Sequence, residues 1–195
     1  ASQNSKQNLP WSEAKFAQIL ARTLPKSAAL FVGSSRPIRD LEAFAESRSD
    51  LTIFANRGLA GIDGNISTTF GISKNFENTF AVMGDLTFLH DVSALVSPTN
   101  SNCKIFVINN NGGGIFSTLP QAGVAGFEKI FGTPHNQDLG KILTGFNVAY
   151  EVIKNESDLE RAVVHNVKGL KFYLVEVPTR DEMAKLLKEI YANAS

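Results

Sequence analysis

The hydrophobic positions along the chain follow two patterns, one typical of strands and one typical of helices. Segments with the two patterns alternate. Short apolar runs bounded by turn residues predict strands at 28–32, 51–55, 80–83, 103–108, 148–153 and 172–177. Between them, apolar positions recur every three or four residues and predict helices at 12–24, 38–45, 86–97, 138–146, 157–167 and 183–191. This alternation predicts an α/β fold with an open, mostly parallel six-stranded sheet and helices on both of its faces.

Capping residues refine the boundaries of the predicted helices. Ser12 is a candidate N-cap for the first helix, which a proline at position 25 would stop. Ser157 with Glu160, and Thr179 with Glu182, have the spacing of capping boxes. The last helix carries five apolar residues on one face, which predicts that it docks on the core: Met183, Leu186, Leu187, Ile190 and Tyr191.

Length and composition are those of one globular domain. With 195 residues and 43% hydrophobic content, the chain can bury a substantial core, and we expect a domain over 11–195 after a polar linker at 1–10. The 19 basic and 19 acidic residues cancel, which does not favour nucleic acid or an anionic membrane as a partner. Without a long apolar run or a secretory signal, we expect a soluble, cytoplasmic protein.

Cysteine and histidine usage argues against disulfide or zinc chemistry. Cys103 is the only cysteine of the sequence and lies in a predicted strand, so we interpret it as a small core residue. The three histidines lack the spacing of metal ligands, which does not favour a zinc site.

Two polar residues follow neighbouring predicted strands. Asp85 follows the run at 80–83, and Asn110 comes 25 positions later, after the run at 103–108. That spacing leaves room for one crossover helix, so both oxygens should lie at the carboxyl edge of a parallel sheet, where such sheets bind ligands. Hard oxygens suit Mg²⁺, whose shell a diphosphate could complete, and the glycines at 112–114 would let the backbone approach it.

Each of these residues also has a purely structural interpretation. An Asp after a strand is commonly a helix N-cap, and Asn-Gly is commonly a tight turn. The ordered combination of strand, Gly-Asp, crossover helix, strand and Asn-rich glycine turn favours a metal and diphosphate site.

A second set of polar residues follows the first two predicted strands. Ser34 and Ser35 lie where a helix N-terminus could bind an anion, or they could simply cap that helix. Arg57, in the glycine-rich stretch at 56–64, could join Arg39 in holding a carboxylate, although loop arginines are commonly only solvated.

Two short stretches occur in a fixed order, Gly84-Asp85-Leu86-Thr87 and then Asn109-Asn110-Asn111-Gly112-Gly113. This order resembles the metal and diphosphate motif of thiamine diphosphate-dependent enzymes. That motif begins with Gly-Asp-Gly and closes with Asn-Asn, and here leucine takes the third position. With the stretches at 31–35, 56–64 and 115–120 and with Arg39, the chain is similar to one branch, the 2-succinyl-5-enolpyruvyl-6-hydroxy-3-cyclohexene-1-carboxylate synthases of menaquinone biosynthesis. The resemblance covers about residues 11–193.

The resemblance implies a cofactor, thiamine diphosphate, and roles for particular residues. The metal, Mg²⁺ or Mn²⁺, would be bound by Asp85, Asn110 and the backbone carbonyl of Gly112. Further cofactor contacts would come from Ser34, Gly61, Ile62, Gly84, Leu86, Thr87, Gly113 and Ile115. Catalytic or substrate-orienting roles would fall to Ser35, Arg39, Arg57, Ile115, Phe116 and Leu119.

The resemblance also implies substrates and a partner domain. The reaction would decarboxylate 2-oxoglutarate and add the succinyl semialdehyde carbanion to isochorismate. No residue matches the glutamate motif of the family's pyrimidine-binding domain, which comes from an earlier part of the chain and meets this domain between two subunits. We therefore expect a C-terminal fragment of a longer homo-oligomeric enzyme, inactive alone. The alternatives are another thiamine diphosphate enzyme, such as an acetolactate synthase relative, or a non-catalytic diphosphate-binding module.

Overall fold

The computed structural model describes residues 9–59, 61–96, 101–166 and 168–192. Its helices are α1 (Glu13–Thr23), α2 (Arg36–Phe44), α3 (Asn65–Ile72), α4 (Asp85–His90), α5 (Leu139–Gly145), α6 (Glu156–Val164) and α7 (Arg180–Ala192). Its strands are β1 (Ala29–Val32), β2 (Thr52–Phe54), β3 (Thr79–Gly84), β4 (Cys103–Asn109), β5 (Tyr150–Ile153) and β6 (Leu170–Glu176). Of the predicted linker at 1–10, residues 1–8 lie outside the described residues.

The strands form one six-stranded sheet in the order β2-β1-β3-β4-β6-β5, and every neighbouring pair is parallel. The predicted α/β architecture is therefore confirmed. Because all strands run the same way, their carboxyl ends meet at one edge of the sheet. The strands β3 and β4, which precede the two predicted metal ligands, are direct neighbours at its centre.

The sheet is buried on both faces, which explains the continuous apolar runs of its central strands. Val82 of β3 belongs to a core cluster built with α1 and α6, and the next residue, Met83, belongs to a second cluster built with α3, α4 and α5. The helix α7 packs in a third cluster, in which Met183, Leu187 and Ile190 contact residues from α1 and α2. In the described part of the chain, every helix is too short or too polar to cross a membrane.

The crossover after β3 differs from the single helix predicted at 86–97. The helix α4 ends at His90, and a 3₁₀ segment follows at Val92–Val96; position 97 lies outside the described residues. The break has a physical reason, because the carboxylate of Asp91 accepts hydrogen bonds from the backbone N–H groups of Ile66 (2.7 Å) and Ser67 (3.0 Å). Asp91 thus caps the first turn of α3, a helix that the sequence analysis missed.

The predicted capping residues had mixed outcomes. Ser12 caps α1 by accepting a hydrogen bond from the N–H of Lys15, at 3.2 Å. The Thr179 and Glu182 box is also confirmed, since the Thr179 N–H donates to Glu182 Oε2 at 2.8 Å and the Glu182 N–H donates to Thr179 Oγ1 at 3.4 Å. The Ser157 box is wrong. α6 begins earlier, and its cap is Asn155, whose side chain accepts from the N–H of Asp158 at 3.0 Å.

Two smaller predictions at the ends of helices also need correction. The predicted helix at 157–167 ends at Val164, and position 167 lies outside the described residues. Tyr191 is 55% exposed, so the apolar face of α7 does not extend to it. The prediction for Cys103 is confirmed, because it lies in β4 and is 2% exposed.

Candidate functional site

The candidate site is built at the carboxyl edge of the two central strands. The strand β3 ends at Gly84, which pairs with Ile108 of β4, so Asp85 and Asn110 follow neighbouring strand ends as predicted. Asp85 is 1% exposed and opens α4. The N-cap position of α4 is Gly84, so the interpretation of Asp85 as an ordinary N-cap is wrong.

The carboxylate of Asp85 is held from two sides. Its Oδ1 accepts a hydrogen bond from the N–H of Leu86 at 2.7 Å, and its Oδ2 accepts one from the N–H of Gly112 at 2.9 Å. His135 Nε2 lies 3.2 Å from the same Oδ2. Because His135 Nδ1 accepts from the Gln137 N–H at 3.0 Å, the proton of a neutral ring is on Nε2, which donates to Asp85.

The amide of Asn110 has one satisfied end and one unsatisfied end. Its Nδ2 donates to Glu13 Oε1 at 2.6 Å. Its Oδ1 is buried and, among the residues that the structure describes, has no hydrogen-bond partner. Since buried polar atoms in proteins are nearly always paired, an orphaned oxygen in a cavity indicates a position for a ligand. A carboxylate and an amide oxygen form a donor set that fits Mg²⁺ or Mn²⁺.

The glycine run after Asn110 packs tightly against the backbone of a neighbouring turn. Gly112 has a φ of +130°, and a Cβ there would overlap the carbonyl oxygen of Gly132. A Cβ at Gly113 would overlap the carbonyl oxygen of Phe131, and the Gly113 N–H donates to Gly132 at 2.8 Å. Two constraints therefore favour glycine at these positions. The residues line the site, and the turn behind them leaves no room for side chains.

Most of the predicted site residues line one cavity of about 280 Å³. They are Ser34, Ser35, Ile62, Gly84, Asp85, Leu86, Thr87, Asn110, Gly112, Gly113, Ile115 and Phe116. Gly61 and Leu119 are absent from this lining, and Leu119 is 38% exposed. The cavity therefore joins the predicted metal ligands to the predicted apolar surface.

The two predicted arginines lie together, but not in this cavity. Arg39 and Arg57 line a neighbouring cavity of about 630 Å³. Arg39 Nη1 donates to the backbone oxygen of Ser35 at 2.9 Å, and Arg57 Nη1 donates to Ser34 Oγ at 3.4 Å. The two serines thus stand between the cavities. Among the described residues, Ser35 makes no capping hydrogen bond to α2, so capping is not its role.

A buried ionic cluster, which the sequence analysis missed, borders the first cavity. Glu13, Arg36 and Asp40 all line it, and Arg36 donates to Asp40 and to Glu13 Oε2, the latter at 3.4 Å. Burial raises the pKa of Asp40 to about 7 despite the neighbouring guanidinium. No local pattern signals this cluster, because a glutamate in the first turn of a helix is common and is usually explained by the helix dipole.

Comparisons with known proteins bear on this geometry. Over 176 residues, the chain is 40% identical to the 2-succinyl-5-enolpyruvyl-6-hydroxy-3-cyclohexene-1-carboxylate synthase of Thermobifida fusca, a match that covers 86% of the chain and 31% of that protein. The synthase of the same name from Lysinibacillus sphaericus is 38% identical and is matched over 92% of the chain and 32% of its own length. The chain is a sequence relative of these synthases.

The match covers only part of each synthase, because the chain spans about a third of their length. Among solved structures, a candidate thiamin diphosphate-dependent enzyme isolated from Mycobacterium smegmatis matches with a TM-score of 0.66 and 19% identity, over 87% of this chain and 32% of that one. That structural similarity shows that the two proteins share the same fold. No protein-family model matches the chain.

Proposed function

We propose that the carboxyl edge of the sheet binds the diphosphate of thiamine diphosphate through Mg²⁺ or Mn²⁺. The observation that carries this proposal is the buried, unpaired Oδ1 of Asn110 in the cavity that Asp85 also lines. The Gly112 carbonyl would be the third protein ligand; it accepts from the Gly114 N–H at 2.9 Å and has a second lone pair available. Water and diphosphate oxygens would complete the octahedral shell.

The rest of the cavity would position the cofactor and exclude water. Thiamine diphosphate supplies a thiazolium carbon that stabilises the negative charge left when a 2-oxo acid loses carbon dioxide. Ile62, Ile115 and Phe116 line the cavity and would keep water from the reacting groups. Ser34, Gly84, Leu86, Thr87 and Gly113 would contact the cofactor from the same walls.

For the whole enzyme, we propose the reaction of the named synthases. It would decarboxylate 2-oxoglutarate and join the remaining four-carbon unit to isochorismate. Arg39 and Arg57 share one cavity, and their guanidinium groups suit the carboxylates of both substrates, with Ser35 between the cavities. The named relatives favour this branch over the acetolactate synthase alternative.

Several further parts of this proposal concern the whole enzyme. They are a C-terminal position of this domain, a pyrimidine-binding domain from another subunit, homo-oligomeric assembly and a cytoplasmic location. We also propose that Gly61 and Leu119, which lie outside the first cavity lining, approach the ligands once that partner domain is docked.

Calorimetric titration of thiamine diphosphate into the chain with Mg²⁺ present tests the proposal. We expect saturable binding that requires Mg²⁺ and that Asp85→Asn weakens at least about tenfold, since the variant replaces a charged metal ligand by a neutral one. Thiamine without the diphosphate is the matched ligand control and should not bind comparably. Binding that is indifferent to Mg²⁺ and to the variant would refute the proposed metal site.

A further inference from the structure

We propose that Glu13 is a positioning residue that turns the amide of Asn110 so that its oxygen, not its nitrogen, faces the metal. This inference rests on the proposed function and extends it to a residue 97 positions away in the chain. Glu13 would not touch the cation. It would act through the orientation of a ligand that does.

The contact between the two side chains defines the orientation of the amide. Asn110 Nδ2 donates to Glu13 Oε1 at 2.6 Å, a short bond to a charged acceptor. A carboxylate can only accept, so the nitrogen end of the amide must face it. The reversed amide would bring two oxygens together and would present N–H donors to a cation. Glu13 therefore excludes the orientation that cannot bind metal.

Glu13 is itself held in place. Its side chain is 4% exposed, and its second oxygen, Oε2, accepts from Arg36 Nε at 3.4 Å. It begins α1, whose first-turn N–H groups favour a negative charge, and the Ser12 cap fixes the start of that helix. Both carboxylate oxygens are thus engaged, one by the guanidinium and one by the amide.

The same arrangement explains why Asn110 Oδ1 stays unpaired. Burying an acceptor without a partner costs about 1–3 kcal/mol, so an asparagine that could rotate would be expected to satisfy it. The bond to Glu13 prevents that rotation and keeps the oxygen directed into the cavity. Residues that orient metal ligands in this way typically change metal affinity by about 10- to 100-fold when replaced.

Glu13→Gln is the decisive substitution, because it preserves the size of the side chain while removing the pure acceptor. We would measure Mn²⁺ affinity by electron paramagnetic resonance, with saturating thiamine diphosphate. Glu13→Gln should weaken Mn²⁺ binding by about 10- to 100-fold. The matched control is Glu151→Gln, the same substitution at a glutamate that pairs with Lys171 and Arg161 and does not line the cavity. It should stay within about twofold of the original protein at equal folded fraction.

Two outcomes would overturn the inference. One is Mn²⁺ affinity in Glu13→Gln within twofold of the original protein. The other is an equal loss in Glu13→Gln and Glu151→Gln, which would assign the effect to a general loss of negative charge and not to orientation.

A second readout separates this inference from the proposed function. Hydrogen exchange of the Asn110 side-chain amide, followed by NMR without metal, should be slow in the original protein and in Glu151→Gln and faster in Glu13→Gln. If Mn²⁺ fails to bind the original protein, the proposed metal site is refuted, while this measurement still decides the orienting role. Exchange that is equally fast in the original protein and Glu13→Gln would refute that role.

Discussion

The thiol of Cys103 lies at the start of β4, in the middle of the sheet and 2% exposed. Burial disfavours the charged thiolate and raises the pKa of Cys103 to about 12. Because the thiolate is the reactive form of cysteine, the folded protein should hold this residue in an inert state.

We therefore predict that iodoacetamide labels Cys103 at pH 8 only after unfolding. Mass spectrometry over time should show labelling at least about 100-fold slower in buffer than in concentrated guanidinium chloride, since both the pKa and access oppose the reaction. A short cysteine-containing peptide is the control for intrinsic reactivity. Native protein that reacts as fast as the peptide would show that Cys103 is not buried in solution.

A second residue-scale prediction concerns the packing of the glycine run. Gly113→Ala should lower the free energy of unfolding by about 1–3 kcal/mol, because the new methyl group would overlap the backbone oxygen of Phe131. Gly71→Ala in α3 is the matched control. Apart from its chain neighbours and the backbone of its own helix, a Cβ there meets no described atom within 4 Å, so Gly71→Ala should be neutral or stabilise the helix by up to about 1 kcal/mol. Urea denaturation measures both, and equal effects would contradict the packing argument.

The candidate site was predictable from the sequence only where its residues follow strand ends. Asp85 and Asn110 each end a clear apolar run, and the spacing between them fits one crossover. Glu13 and His135 could not be found in this way, since each reaches the site from an element far away in the chain, and neither belongs to a local motif. Their roles depend on tertiary contacts that no short-range pattern encodes.

At the scale of elements, a strand lysine holds the end of a helix. Lys104 of β4 is 8% exposed, and its Nζ donates to the carbonyl oxygens of Ala162 (2.9 Å), Val163 (2.6 Å) and His165 (2.6 Å) at the C-terminus of α6. The last carbonyls of a helix have no partner within it, and they carry partial negative charge. Lys104 satisfies three of these groups at once.

We predict that Lys104→Met destabilises the protein by about 1–3 kcal/mol, since it leaves helix carbonyls buried without donors. Lys171→Met is the matched control. Lys171 pairs with Lys104 in the β4–β6 ladder, but its ammonium is partly exposed and binds Glu151 at 2.9 Å, so its loss should cost under about 1 kcal/mol. Thermal or urea unfolding measures the difference. Equal costs would show that the helix contacts of Lys104 contribute little.

Two errors in the predicted elements, the missed α3 and the overlong crossover helix, share one cause. The sequence analysis missed α3 and predicted too long a helix after β3. In both cases the reason is Asp91, which follows the end of α4 and caps α3 through hydrogen bonds from Ile66 and Ser67. The boundary of α6 was misplaced for a smaller reason, since Asn155 and Ser157 are both acceptable caps and only the backbone conformation decides between them.

At the scale of the whole molecule, the parallel sheet followed directly from the sequence. Strands buried on both faces give continuous apolar runs, and helices between them require right-handed crossovers, so the pattern specifies the architecture. The order of the strands and the division of the site into two cavities did not follow, because both depend on which helix covers which face.

We predict that this chain alone forms no ligation product from 2-oxoglutarate and isochorismate with thiamine diphosphate and Mg²⁺. The chain spans about a third of the length of the synthases it matches. In the proposed function, the reaction would also require the pyrimidine-binding domain that the family resemblance implies. Liquid chromatography with mass spectrometry would measure product, with a complete synthase as the positive control. Sustained turnover by the chain alone would contradict the proposed division of labour between domains.

The central claim, that Asp85 and Asn110 hold a divalent cation at the carboxyl edge of the sheet, is tested most directly by diffraction. Crystals grown with Mn²⁺ and thiamine diphosphate would locate the metal by its anomalous scattering. The account predicts one peak about 2.0–2.4 Å from an Asp85 carboxylate oxygen, Asn110 Oδ1 and the Gly112 carbonyl. A bound cofactor whose metal lies elsewhere, or an Asn110 amide with its nitrogen towards the metal, would contradict it.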